Sequence, residues 1–289
     1  MSAKNTKILF VINKSAGPDD ASWEEIINNF FKDKNFDISF YHLHESGFEK
    51  LGSTIKKSTA KIIVAVGGDG TVALVAKSIS GTDAALGIVP AGSANGMAKE
   101  LAIPLKPEEA LAVIEKGDVK NCDAIRINQH DICLHLSDIG LNAQLIKYFD
   151  EGDLRGQLGY AKVILKTLVR KKKMKVAIKT KTDEVYRDAF MVVLANASKY
   201  GTGAVINPEG EINDGEFEVV IVRKLAFLEL MRMMVKPGLF NPKNIEILKA
   251  TNVNISTNSK FHFQIDGEYK GKINKISASI VPSYIKVIL

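Results

Sequence analysis

One short run constrains this chain more than any other: Val66-Gly67-Gly68-Asp69-Gly70-Thr71, set between the apolar stretch Lys61-Ile62-Ile63-Val64-Ala65 and the helix-patterned segment Val72 to Ile79. A glycine-rich turn from a buried strand into a helix makes a phosphate cradle. Glycine backbone can approach a polyanion and take positive φ, while unpaired N–H groups and the positive end of the helix dipole face the phosphates. Asp69 narrows the reading. A carboxylate inside such a turn repels phosphate unless Mg²⁺ or a substrate proton lies between them, which points to phosphoryl transfer rather than passive nucleotide holding. The spacing is neither G-x-G-x-x-G nor a P-loop with its Lys-Ser/Thr pair. The plainer alternative is an ordinary Gly-Asp-Gly turn between a strand and a helix.

A second turn of the same kind follows in Gly87-Ile88-Val89-Pro90-Ala91-Gly92-Ser93-Ala94-Asn95-Gly96-Met97-Ala98, an apolar strand entering a small-residue loop and a helix that ends near Leu101. Consecutive strands of a parallel sheet put such turns on one edge, so both loops are expected at the carboxyl ends of their strands, where open α/β sheets bind ligands.

The pattern around these turns alternates strand and helix. Strands are expected at Ile8 to Ile12, Asp37 to Leu43, Lys61 to Val66 and Ala85 to Val89, with helices beginning near Ser22, Phe48, Thr71 and Ala94. Ser22-Trp23-Glu24-Glu25 fits a capping box. This is the order of βαβ units. After a helix from Glu108 to Lys116 the texture changes to short alternating runs, Asp123 to Asn128, Asp131 to Leu136, Lys175 to Lys181, Val185 to Leu194, Glu218 to Val222, Asn252 to Ser256 and Phe261 to Ile265, which suit antiparallel sheets in a sandwich. The boundary is expected near Asp118 to Asn121, and Leu225 to Met234 reads as a helix ended by Pro237-Gly238.

With 289 residues, 46% hydrophobic and 25% charged, the chain is long enough for two globular domains and is neither disordered nor collagen-like. Its two cysteines, Cys122 and Cys133, lack metal-site spacing and read as free thiols in a reducing compartment. The first residues enter a strand without an apolar signal region, and no apolar stretch reaches membrane-span length, so a cytoplasmic location is expected. The net charge of +6 is concentrated at Arg170-Lys171-Lys172-Lys173-Met174-Lys175, which closes an amphipathic segment from Tyr160 to Val169. That cluster suits a solvated helix end or an anionic lipid surface. Nucleic acid is not an expected partner, because no aromatic residues are interleaved with the basic ones. His130, His135 and His262 lie in strand-like runs without zinc or triad spacing and read as satisfied structural histidines.

Taken together, Gly-Gly-Asp-Gly-Thr and Pro-x-Gly-Ser-x-Asn resemble the catalytic domain of the diacylglycerol kinase and sphingosine kinase family, particularly its soluble bacterial lipid kinases. Other landmarks follow in order: Asn13-Lys14-Ser15-Ala16-Gly17, Ile212-Asn213-Asp214-Gly215-Glu216-Phe217 and Gln264-Ile265-Asp266-Gly267-Glu268. The resemblance implies a Rossmann-like α/β domain over residues 1–120, completed by 280–289, and an all-β sandwich lipid-substrate domain over 121–279. It implies ATP held by Asn13, Ser15, Gly17, His44, Gly67, Gly68, Gly70, Thr71, Gly92 and Ser93. Asp69 and Glu268 would be catalytic. Glu268 would be the general base, its place after an apolar strand leaving it partly desolvated, with a plain solvent-facing hairpin as the alternative. Asp214 would hold Mg²⁺ with the carbonyls of Glu211 and Glu216, and Asp123 could join that network. The cleft between the domains would take a lipid hydroxyl at the inner membrane face, and a homodimer stays open.

The chain also departs from the family. Lys14 stands at the usual proline, Ala73, Leu74 and Gly96 replace polar residues, and His44 is the nearest counterpart of a nucleotide-contacting threonine. Two rivals follow: an NAD kinase-like phosphotransferase, whose expected Asn-x-Gly-x-Leu-Gly-Phe run is absent, and a nonenzymatic lipid or nucleotide sensor.

Overall fold

The structure is a computed structural model, and it describes residues 6–13, 23–43, 48–150, 172–199, 205–208, 210–224 and 244–289. Ser22 of the expected capping box, the segment Tyr160 to Val169, Arg170, Lys171 and the helix expected at Leu225 to Met234 lie outside them. The chain divides into two compact units, Met1–Cys122 with Ser283–Leu289, and Asp123–Pro282.

The first unit is a parallel sheet flanked by helices. Its elements are β1 (Thr6–Asn13), α1 (Trp23–Phe31), β2 (Phe36–Leu43), α2 (Phe48–Ser58), β3 (Ile62–Gly67), α3 (Asp69–Ile79), β4 (Ala85–Pro90), α4 (Gly96–Glu100) and α5 (Pro107–Lys116). Strand order is β4-β3-β1-β2, with Lys286 and Val287 laid parallel beside β4. β1, β3 and β4 are near-continuous apolar runs buried throughout their middles, as strands covered on both faces must be. The helices cover them through spaced apolar residues: Trp23, Ile27 and Phe31 on α1, and Ala110, Leu111 and Ile114 on α5. Pro107 starts α5, and Gly117, at φ +75°, ends it with its N–H on the Val113 carbonyl. The chain leaves β1 toward β2 on one side and returns to β3 on the other, so the carboxyl ends of β1 and β3 form the switch point where open sheets bind ligands.

The second unit is antiparallel. It holds β5 (Val119–Ile127) from Asp123 on, β6 (Asp131–Cys133), β7 (Leu136–Gly140), α6 (Leu141–Asp150), β8 (Met174–Lys179), β9 (Glu184–Ala189), β10 (Met191–Ala195), β11 (Phe217–Val222), β12 (Ile245–Ala250), β13 (Asn252–Ile265) and β14 (Glu268–Ile288) as far as Pro282. β12, β11, β10, β7 and β13 follow one another. β13 pairs with β14 along one side and with β8 and then β7 along the other. Phe217, Val219 and Ile221 of β11, with Val193, Ile139, Ile255 and Phe263, fill a core of fully or nearly fully buried side chains.

The expected runs Asp131 to Leu136 and Val185 to Leu194 each span two strands, β6 with β7 and β9 with β10. The runs Asn252 to Ser256 and Phe261 to Ile265 are one strand, because a bulge between Ser256 and Phe261 shifts the register without ending the pairing. Helix α6 and strand β12 were not foreseen. Gly140, at φ +120°, turns the chain from β7 into α6 where a Cβ would stand 2.4 Å from the Phe190 carbonyl oxygen. His130 sits in a turn rather than a strand, and the buried Nε2 of His135 has no hydrogen-bond partner among the described residues. Cys122 and Cys133 are buried and form no disulfide. Among the described residues, no helix is long and apolar enough to cross a membrane.

Candidate active site

In the α/β unit the two glycine-rich turns lie against each other. A Cβ on Gly92 would fall 2.4 Å from the Gly68 Cα, and one on Gly68 would fall 3.1 Å from the Gly92 Cα, so neither position has room for a side chain. The Ala91 N–H donates to the Gly67 carbonyl at 2.9 Å, extending the β3–β4 pairing into the loops. Asn13, at the end of β1, adds the third loop through its Nδ2 on Thr71 Oγ1 at 3.2 Å. No side chain caps the start of α3, whose N-cap is Gly68, so its first turn keeps the amide-rich end that suits a phosphate. Gly67 is buried, Gly68 half-buried, and Gly70 and Ser93 exposed. Ser15, Gly17 and His44 lie outside the described residues.

Asp69 has a partner set that its sequence context did not reveal. Its Oδ2 accepts the Gly96 N–H and its Oδ1 the Met97 N–H, both at 3.0 Å. The carboxylate therefore caps the start of α4 and clips the first turn to the second. Asn95, at φ +51°, shapes that second loop from within: its Oδ1 accepts the Gly92 N–H at 2.9 Å and its Nδ2 donates to the Gly92 carbonyl at 2.8 Å. Gly96 contributes its backbone amide to this closure.

In the β unit, Asp214 sits exposed in the loop before β11, where its Oδ1 accepts the Glu216 N–H at 3.0 Å. Gly215, at φ +78°, lets the loop curl. Its N–H donates to the buried Asp123 Oδ2 at 2.8 Å, and the Asp123 N–H donates to the Ile212 carbonyl at 2.8 Å. Glu211 is exposed and Glu216 half-buried. Among the described residues no group of three or more His, Cys, Asp or Glu could hold a metal ion. The hard-oxygen character of Asp214 and the neighbouring carbonyls still fits Mg²⁺. Burial raises the Glu218 carboxyl above its ordinary range, with the Asn207 hydrogen bond and the Lys249 charge opposing and the charges of Asp214 and Glu216 adding to the rise.

Glu268 occupies the first residue of β14, across a two-residue hairpin from Ile265. Asp266 and Gly267 both take positive φ, +48° and +87°, as this tight turn requires. The expected partial desolvation is corrected by the geometry. The side chain is 61% exposed and paired with Lys270 Nζ at 2.8 Å, because the hairpin carries it past the apolar strand that precedes the turn. Beneath it, the Asp266 carboxylate accepts the N–H groups of Leu134, His135 and Leu136 and the Cys133 thiol, at 2.8 to 3.2 Å. Burial raises the Asp266 carboxyl, opposed by the Leu134 amide, and burial likewise raises the Cys133 thiol well above its ordinary value.

Asp138, 1% exposed on β7, was also missed. Its Oδ2 accepts Gln264 Nε2 at 2.5 Å and Asn142 Nδ2 at 2.6 Å, and its Oδ1 accepts the Ala143 N–H at 2.9 Å. Burial lifts its carboxyl from 3.8 to about 6 against those three donors. The folded value lies above the unfolded one, so this group costs stability as pH rises: between about 4 and 6 the unfolded chain has released a proton that the folded chain still holds. Relative to Asp138→Asn, the parent should therefore lose about 2 kcal/mol of unfolding free energy between pH 4 and pH 7. Denaturant unfolding at both pH values measures this, and a pH-independent difference would place the Asp138 carboxyl in its ordinary range.

Comparison with known proteins places these features in a wider set. Residues 7–127 match the family described as the diacylglycerol kinase catalytic domain, and residues 137–289 match that described as the YegS C-terminal NAD kinase β-sandwich-like domain. A protein named "Probable lipid kinase YegS-like" from Pectobacterium atrosepticum is 28% identical over 285 residues, covering 92% of this chain and 90% of that protein. A protein of the same name from Serratia proteamaculans is 28% identical over 235 residues, covering 78% and 75%. Among solved structures, a diacylglycerol kinase from Bacillus anthracis superposes with a TM-score of 0.74 at 19% identity, covering 99% of this chain and 98% of that one. An NAD kinase from Archaeoglobus fulgidus in complex with ATP superposes with a TM-score of 0.56 at 13% identity, covering 98% and 94%. These two likenesses concern the fold.

Proposed function

The chain belongs to the family that joins a diacylglycerol kinase catalytic domain to a YegS C-terminal β-sandwich-like domain, and from that premise we propose that it is an ATP-dependent lipid kinase acting on a lipid hydroxyl. The observation that carries this reading is the clipped pair of glycine turns, in which Asp69 holds Gly96 and Met97 while Gly68 and Gly92 meet backbone to backbone. Such an arrangement presents amides in fixed positions, which is what phosphate binding asks of a protein. Asn13, Gly67, Gly68, Gly70, Thr71, Gly92 and Ser93 would contact the donor.

Glu268 would accept the proton of the lipid hydroxyl as its oxygen attacks the γ-phosphorus and the bond to the ADP oxygen breaks. Its pairing with Lys270 is an exposed ion pair worth about 1 kcal/mol or less, weak enough to exchange for an incoming hydroxyl. Asp214, with the carbonyls of Glu211 and Glu216, would hold Mg²⁺, which would supply charge compensation and order the loop. Lys172, Lys173 and Lys175 would favour an anionic membrane face, where such a lipid resides.

Incubation with radiolabelled ATP and separated lipid classes, including diacylglycerol, sphingoid base and phosphatidylglycerol, tests the reading by thin-layer chromatography. A labelled lipid is expected. Turnover that depends on NAD and leaves every lipid unlabelled would replace it with the NAD kinase-like alternative. For the ion, Mg²⁺ at a hundredfold excess over its Kd should stabilise the parent by about 2.7 kcal/mol, and Asp214→Ala should abolish that gain. Equal melting temperatures of the parent with and without Mg²⁺ would remove the ion from this loop.

A further inference from the structure

We propose that Asp138 is a positioning residue for the reaction, acting through Gln264 and the Gly267 amide to fix the turn that presents Glu268. The proposal rests on Glu268 being the base. The connection is continuous within the β unit. Asp138 Oδ2 accepts Gln264 Nε2 at 2.5 Å, and Gln264 Oε1 accepts the Gly267 N–H at 2.8 Å, one residue before Glu268. Gln264 is itself held, because Ser137 Oγ donates to its carbonyl at 2.6 Å.

The direction of each bond is decided by chemistry. An ionised carboxylate only accepts, so Gln264 must turn its NH₂ group toward Asp138, and its carbonyl oxygen is thereby aimed at the Gly267 N–H. A glutamine without this partner could turn either way, and the other orientation would set NH₂ against N–H. Three neutral donors surround the Asp138 carboxylate, and two of them, Asn142 on Oδ2 and Ala143 on Oδ1, belong to α6. Burial that raises this carboxyl toward neutrality makes it a costly choice for a plain core position, where an apolar residue would pack without charge. The arrangement has a use if the tip of a two-residue hairpin, whose Glu268 side chain is 61% exposed, must be held from below.

Asp138→Asn tests this with two readouts. The new amide can present NH₂ to Gln264, which turns over and leaves the Gly267 N–H facing a donor. Hydrogen exchange at Gly267 should accelerate roughly tenfold or more, and kcat should fall roughly 10- to 100-fold with the KM for ATP unchanged. The double variant Asp138→Asn with Gln264→Glu restores the pattern, since a carboxylate at position 264 accepts from both the new amide at position 138 and the Gly267 N–H, and should recover both readouts. Unchanged Gly267 exchange in Asp138→Asn, or a double variant that recovers neither quantity, overturns the proposal. Should Asp138→Asn not fold, Gln264→Leu removes the relay at similar volume, and parental kcat in that folded variant overturns it equally. Failure of the base reading is recognised separately, by Glu268→Gln at full kcat, whereas faster Gly267 exchange with unchanged kcat in a protein that does need Glu268 counts against Asp138.

Discussion

Replacing Glu268 with glutamine is expected to lower kcat by roughly 10²-fold or more while leaving ATP affinity near that of the parent, the scale usual for loss of a general base. The substitution keeps the side chain's shape and removes only its capacity to take a proton. It should not disturb folding, because the hairpin is set by the backbone pairing of Ile265 with Glu268 and by the positive φ of Asp266 and Gly267. The lost ion pair with Lys270 is exposed and contributes about 1 kcal/mol or less. ATP affinity should hold because the amides proposed to face the phosphates belong to Gly67–Thr71 and Gly92, which lie in the other unit. Steady-state kinetics with the best lipid acceptor, beside a thermal melt, decides the matter. Parental kcat in a folded variant would take Glu268 out of the mechanism.

Local structure was readable in the sequence wherever a few consecutive residues carry it. Gly67 to Thr71 between an apolar strand and a helix could be recognised because the strand, the turn and the helix start adjoin along the chain, and the same holds for Gly92 to Met97. The α/β class followed from the alternation of such pieces. The partnerships that give these residues their duties were not readable, because they join distant positions. Asp69 finds its amides 27 and 28 residues away, and Asp138 finds Gln264 126 residues away. No periodicity marks Asp138 as different from any polar residue in a strand. Asp266 was visible as half of an Asp-Gly turn, yet its hydrogen bonds run to Leu134, His135 and Leu136 across 130 to 132 positions. The exposure of Glu268 was misjudged for a related reason. An apolar strand before a residue says how that strand is buried, whereas a two-residue hairpin lifts the next residue out of it.

The role of Asp69 gives the second large effect. Asp69→Ala should reduce kcat/KM for ATP by roughly 10³-fold and also lower the melting temperature, because two functions end together. The amides of Gly96 and Met97, both residues buried, would lose their acceptor, at about 1 to 3 kcal/mol for each unsatisfied group. With the clip gone, the close Gly68 to Gly92 contact, the Ala91 to Gly67 bond and the internal Asn95 bonds would remain to hold the two glycine turns. Asp69→Asn separates the clip from the charge. Its single carbonyl oxygen can still accept one amide, so as a clip it should recover part of the lost stability and part of the turnover. If Asp69 acts only through its negative charge, as it would toward a cation or a proton, asparagine should be as inactive as alanine while melting closer to the parent. An Asp69→Ala protein that melts like the parent would show that the bonds to Gly96 and Met97 do not hold the loops, and the clipped cradle would lose its physical basis.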